Sequence, residues 1–449
     1  MRVKYFNLIC CGILLFVSCA HNQLAGNLHS FKELKLPKEH FDFHDSQNLK
    51  QNLEKLGSLK NKKNQWKLVQ TLSAFLNIKR DLRIGQINLM PNSASSIELS
   101  SFCAASDKAT PDKEEVFKWV KGQPNIPLVR SLTELYSNSP KADQTTYQEI
   151  FWNLSNEINY EDYPIEQKDI LNRASDKSKF VLPSKLKTRV IQEILPSEVS
   201  DILDIVKGKY YTYQEFSSII TNRKSNMALS VENTVSSIAG SSLYTTTKSD
   251  SFRSQKITFY NPSDKRVLIN IFDYYLAPMR QDVQPIIIAG VITNMPEVEK
   301  TLEVAAIKML GYLASQYPTL NSAEKQLVKS KPIESAIAFY YAHQAESLSE
   351  QHYPDSSVGG KADALRHFLW SGYLIRELGE TTAREFLEAH EQSFGQPYEQ
   401  KEMDEYNNER GIKTADQLLK EGSCSDSDLL ELGKSLIDKH ELKTLKKAN

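Results

Sequence analysis

The chain is predicted to be mostly α-helical, with a helical N-terminal region, a small β-containing middle segment and a C-terminal helical domain. Two observations carry this. Between Lys60 and Lys209, and again from Glu297 to the end, apolar residues recur at three- and four-residue intervals, the period of an amphipathic helix. Between them lie three short apolar runs, Ile257–Tyr260, Arg266–Phe272 and Pro285–Ile292, two of which flank the turn-forming segment Asn261-Pro-Ser-Asp.

Taken in order, the first element is an export signal over residues 1–18. Arg2 and Lys4 form a positive start, and Tyr5 to Val17 is an apolar run. That run falls short of the roughly 20 residues a spanning helix needs, but it suits a secretory signal peptide. The run ends in Phe16-Val17-Ser18-Cys19, which resembles a bacterial lipobox, with Phe16 where Leu is usual. The resemblance implies lipidation at Cys19 and a chain tethered to the bacterial cell envelope through its N-terminal lipid. Ala20, rather than an acidic residue, then implies the outer membrane. Residues 19–59 are polar with short apolar islands and are expected to be a tether. His40 and His44 stand four apart within it, a ligand pair only if helical, and a solvated segment is the stronger expectation.

Residues 60–209 are expected to be helical, beginning with Trp66, Leu68, Val69, Leu72, Phe75 and Leu76 on one face and broken at prolines from Pro91 to Pro196. Residues 210–296 are expected to hold a loop and a small sheet, with Ser236–Ser254, rich in Ser, Thr and Gly, as linker. Residues 297–449 form the expected C-terminal helical domain, with Gly379, Gly395, Gly411 and Gly422 as helix ends.

Charge excludes one class of function. Without Arg2 and Lys4, the 55 basic residues become 53 against 56 acidic ones, and no nucleic-acid partner is expected of so balanced a chain. Beyond the signal and Cys19, only Cys103 and Cys424 remain. They can form one disulfide or stay as two buried thiols.

The residues suited to chemistry cluster between Asp363 and Gly411. Asp363, Arg366, His367 and Trp370 fall at i, i+3, i+4 and i+7, so one helix face holds all four. A carboxylate one turn before a histidine can fix its tautomer and raise its basicity. His390 is expected to point inward with Ala383, Phe386 and Leu387, and Glu391 to sit at the edge. Asp404, Asn407, Asn408 and Gly411 share a further face. Three short helices can thus converge imidazoles, carboxylates and amides on one point, as a metal site or an acid–base pair requires. The plainer reading is a satisfied core histidine beside Trp370 and a solvated Asn407-Asn408 face closed by a Gly411 cap. Zincin, calcium-loop, nucleophile-elbow and phosphate-loop signatures are all missing from the sequence.

The set D-x-x-R-H-x-x-W, A-H-E and M-D-x-x-N-N-x-x-G resembles an uncharacterised helical domain of bacterial secreted and polymorphic-toxin-like proteins. The resemblance spans about Ala336 to Gly411 and marks Asp363, Arg366, His367, Trp370, His390, Glu391, Asp404, Asn407 and Asn408. Phe368 and Ile412 depart from it. It implies a site without naming a reaction. The resulting expectation is a metal-dependent hydrolase acting on an envelope polymer or lipid. His367, His390 and Asp404 (or Glu391) would hold a divalent metal, zinc first, and a further carboxylate would activate water. Arg366, Asn407 and Asn408 would orient an anionic or carbonyl group. A metal-free variant uses His390 as base and Glu391 as acid. The alternative is a non-enzymatic envelope scaffold or binding lipoprotein whose C-terminal motifs form a structural hydrogen-bond network.

Overall fold

The computed structural model describes residues 28–30, 39–178 and 234–445, apart from 106–107, 109–110, 112–116, 125, 140–141, 157, 159, 252, 315–319, 355–357 and 393–394. The expected signal segment 1–18 and Cys19 lie outside the described residues, as do 179–233. Among the described residues, no helix is long and apolar enough to cross a membrane.

The chain forms two compact units. The first comprises residues 1–44 and 81–293, the second 45–80 and 294–449. In chain order the elements up to the sheet's last strand are β1 (Leu28–Ser30), β2 (Glu39–Asp42), α1 (Ser46–Lys55), α2 (Lys62–Leu82), β3 (Gln86–Leu89), β4 (Ser93–Cys103), β5 (Phe117–Lys121), α3 (Val129–Ser137), α4 (Gln144–Ser155), α5 (Ile165–Ser178), β6 (Thr234–Ser237), β7 (Tyr244–Ser251), β8 (Ser254–Asn261), β9 (Val267–Asn270), β10 (Tyr274–Pro278) and β11 (Ile286–Ile292).

The expectation of a mostly α chain with a small sheet is overturned here. Among the described residues, the first unit is built on a nine-stranded sheet in the order β1-β6-β7-β8-β4-β11-β10-β5, with β2 also joined to β4, so the class is mixed α and β. All pairings are antiparallel except β2 with β4. β4 is long enough to take two partners along one edge, β2 over Ser93–Ser96 and β11 over Leu99–Cys103. The sequence of β4, Ser-Ala-Ser-Ser-Ile-Glu-Leu-Ser-Ser-Phe-Cys, is buried along nearly its whole length. Small serines fill both faces, so no apolar alternation marks the strand. β7 runs through Tyr-Thr-Thr-Thr, where β-branched side chains favour extended backbone. The expected linker over Ser236–Ser254 is therefore a pair of sheet strands, and the expected helical region contains β3, β4 and β5. The tether is likewise corrected, since β2 and α1 occupy most of its described residues. His40 lies on β2, with Nε2 2.7 Å from Ser96 Oγ, and His44 turns to Asp42, so the two are not a helical pair.

One sheet face packs on α3, α4 and α5 through Phe102, Ile287 and Ala289 against Leu132, Ile150, Phe151 and Leu171. On the other face Trp119 meets Phe259 and Tyr274. The Gln148 side chain closes the end of β4, accepting from the Cys103 N–H at 2.8 Å and donating to its carbonyl at 2.9 Å. Cys103 is buried, and burial pushes its thiol pKa up. Cys103 and Cys424 are both free cysteines, so the disulfide considered above is not formed.

The second unit is helical: α1, most of α2, then α6 (Met295–Ala314), α7 (Ser322–Ser330), α8 (Pro332–His352), α9 (Lys361–Leu378), α10 (Glu380–His390), α11 (Tyr398–Lys420) and α12 (Asp426–Asp438). α9 is its axis. Leu365, Phe368, Leu369, Tyr373 and Leu374 are almost fully buried, and α8, α10, α11 and α12 all pack against it. The expected end at Gly411 is corrected, because Gly411 lies inside α11. A Cβ there would stand 2.1 Å from Ser371 Oγ and 2.2 Å from the Phe368 carbonyl oxygen. Only glycine lets α9 and α11 approach this closely. Gly379 and Gly422 do lie at helix ends with positive φ, as expected, whereas Gly395, also at positive φ, lies in the loop between α10 and α11.

Candidate functional site

The close packing of α9 on α11 sets one polar face of each helix against the other. Asp363, Arg366 and His367 come from α9, and Asp404 and Asn408 from α11. Glu391 joins from the end of α10, as its capping residue. The side chains of Asp363, His367, Asp404 and Glu391 are between 1% and 6% exposed, so these groups must satisfy one another.

His367 is the centre. Its Nε2 lies 2.8 Å from Arg366 Nη2. A guanidinium has no acceptor, so Nε2 must carry a lone pair and the proton resides on Nδ1. Nδ1 then donates to Asn408 Oδ1 at 3.3 Å. Asn408 passes the connection on, donating from Nδ2 to Glu391 Oε1 at 3.1 Å. Burial, then the nearby Arg366 charge and then His390, hold the His367 pKa well below the usual imidazole range. The ring is neutral, as a metal ligand must be.

Around the Nε2 lone pair stand two carboxyls. Asp363 Oδ1 is 3.6 Å away and accepts from Arg366 Nη2 at 2.5 Å, while Asp363 Oδ2 accepts from the Gly359 N–H at 2.7 Å. Asp404 Oδ1 is 3.2 Å from the same nitrogen, yet it is buried and accepts no hydrogen bond. Asp404 Oδ2 accepts from Gln396 Nε2 at 2.7 Å. Burial foremost, then repulsion from Asp363 and Glu391, push the Asp404 carboxyl up to about 8. Burial also raises Glu391, whose Oε2 is a second orphaned buried oxygen.

Asp363, His367 and Asp404 thus form a buried group able to hold a metal ion, their ligand atoms all within 4.8 Å of one another. This replaces the expected His367–His390–Asp404 set. His390 lies beside the site, its ring centroid 6.0 Å from that of His367, but it is not one of the three. Its Nδ1 meets Glu324 Oε1 at 3.0 Å, and its ring sits edge-to-face with Trp370 at 5.0 Å. The expected orientations on α10 are reversed, with His390 half-exposed and Glu391 buried. α10 ends at His390, and the chain turns Glu391 inward at the cap. Asn407 is also relocated. It clamps the backbone of Lys443, donating to its carbonyl at 3.0 Å and accepting from its N–H at 2.9 Å. Arg366 pairs with Asp363, and the His367 ring is buried.

Sequence reasoning missed Gln396, Asn321 and Glu324. The last two form a capping box at the start of α7, and Asn321 Nδ2 also donates to the Ala389 carbonyl at 2.6 Å. The Asn321-Ser-Ala-Glu324 spacing carried that signal. Nothing around Gln396 marked it.

A family model described as Domain of unknown function (DUF6973) matches residues 325–440. An uncharacterised domain therefore occupies the C-terminal region, and every group of the buried site lies within it. No curated protein and no solved structure matches the chain.

Proposed function

We propose that this chain is an envelope lipoprotein whose C-terminal domain is a divalent-metal-dependent hydrolase, with Asp363, His367 and Asp404 as ligands. One observation carries the metal: the His367 Nε2 lone pair and the orphaned Asp404 Oδ1 face each other 3.2 Å apart in a buried site. Two acceptors at that distance repel unless a proton or a cation lies between them. Bond lengths of about 2.0–2.1 Å place the ligand atoms of a tetrahedral zinc about 3.3 Å apart, and separations of 3.2 and 3.6 Å fit that spacing. Asn408 supplies the outer hydrogen bond to the ligand imidazole that such sites use, and Gln396 does the same for Asp404.

A bound divalent ion would supply an acidic water, and hence hydroxide near neutral pH. Glu391, tied through Asn408 to the Nδ1 side of His367, helps to fix the tautomer that leaves Nε2 for the ion. His390, held by Glu324 at the half-exposed edge, is placed to give a proton to a leaving group. The lipobox-like Cys19 and the charged, apolar start of the sequence support an envelope location, hence an envelope polymer or lipid as substrate. The resemblance to secreted and polymorphic-toxin-like chains agrees with export.

The alternative reading, a non-enzymatic scaffold, draws support from Asn407, a motif residue committed entirely to the Lys443 backbone. Elemental analysis of the detergent-extracted full chain separates the two readings. We expect about one divalent ion per chain, zinc first, lost in His367→Gln, and hydrolysis of isolated cell wall or lipid vesicles that a chelator abolishes. A chain that takes up neither zinc nor manganese on loading would leave only the scaffold.

A further inference from the structure

Arg366 stands in the way of any cation at this site. Its Nη2 lies 2.5 Å from Asp363 Oδ1 and 2.8 Å from His367 Nε2, so one guanidinium nitrogen engages two of the three donor atoms that a metal would use. The lone pair on Nε2 serves either the arginine N–H or a metal ion, not both. The donors themselves are nearly sealed, with Asp363 at 6%, His367 at 1% and Asp404 at 1% exposure, whereas the Arg366 side chain is 29% exposed. Compared with the three donors, Arg366 is the group with a route to solvent. A cation entering among the donors would repel the guanidinium along that route.

We propose that Arg366 and the divalent cation are alternative occupants of the Asp363–His367 donors, and that the guanidinium released by the cation binds an oxyanion of the substrate beside the metal. This rests on the metal reading above and adds a substrate class to it, an anionic one. In the cation-free chain, Arg366 neutralises the buried carboxyls and is occupied. In the loaded chain the cation neutralises them, and the fork of donors on Arg366 is free for a planar or tetrahedral oxyanion. Cation and anion therefore bind cooperatively, and linkage requires each to raise the affinity of the other by the same factor.

The test is calorimetric titration of the full chain in detergent with zinc, alone and in the presence of sulfate or acetate, both of which leave zinc soluble. Arg366→Gln should bind zinc more tightly than wild type, on the order of tenfold, because a charge-assisted competitor has gone. Arg366→Lys, which keeps a charge but has no fork, should fall between, and it guards against a fold defect in the first variant. In wild type one of the anions should tighten zinc binding. In Arg366→Gln that tightening should vanish. Sulfate as the effective anion assigns a tetrahedral group, acetate a planar one. Zinc affinity unchanged or weaker in both variants overturns the competition while leaving the metal site standing. Anion linkage that persists in Arg366→Gln overturns the assignment of Arg366 as the oxyanion group. Absence of zinc binding in wild type and variants alike removes the metal reading, and this inference with it.

Discussion

Asp404 carries conflicting demands. Its Oδ1 is buried without a hydrogen bond, opposite a lone pair, while Oδ2 is held by Gln396. Pushed up to about 8 by burial, this carboxyl stays largely protonated at neutral pH until a cation takes the place of the proton. Asp404→Asn should accordingly melt no lower than wild type in chelator. With zinc, wild type should gain about 2.7 kcal/mol at a hundredfold excess over Kd, and the variant almost nothing. Paired thermal melts with and without zinc check this, and equal zinc stabilisation of both proteins would remove Asp404 from the ligands. His390→Gln should behave differently, keeping the metal and losing turnover, since His390 is bonded to Glu324 outside the donor set. Loss of bound metal in that variant would restore it as a ligand. At this scale the α9 face was legible, because Asp363 and His367 stand at i and i+4 inside one long helix. The His390–Glu391 exchange was not. Helical periodicity places a side chain only where the helix continues, and α10 ends between these two residues.

Among elements, the contact of α9 with α11 positions the site more than any other. At Gly411 the backbone carbonyl of Phe368 leaves no space for a methyl group. Ser371, which donates to the His367 carbonyl at 2.8 Å, lies against the same point. Gly411→Ala should therefore cost about 1–3 kcal/mol by overpacking and also weaken metal binding, because separating the helices moves Asp404 away from His367. A melting temperature within a degree of wild type would show that the helices do not meet this closely. The motif ending in Gly411 was readable from sequence, but its role was not, because a glycine that stops a helix and one that admits a neighbour look alike without the partner. The sheet was hidden for a related reason. β4 is packed on both faces by small serines, and β7 is built on threonine, so neither shows the two-residue alternation by which a half-exposed strand announces itself.

At the scale of the whole molecule, the remaining expectation concerns Cys19. Cys19→Ser should shift the chain from the membrane to the soluble fraction after export. Membrane fractionation equal to wild type would exclude the lipid as anchor. The division into units could not be read from composition, because both units are discontinuous in sequence: the first helices of the second unit lie between β2 and the rest of the sheet, and its other helices follow the sheet. α1 packs on α6, and Lys79 pairs with Glu299 at 2.6 Å, so residues 45–80 belong to the same core as the C-terminal helices. This arrangement bears on the order of synthesis. The ribosome delivers α1 and α2 early, and they must wait until the rest of the sheet has emerged and the chain returns to α6. A chain that is also exported would cross the membrane with that core unfinished.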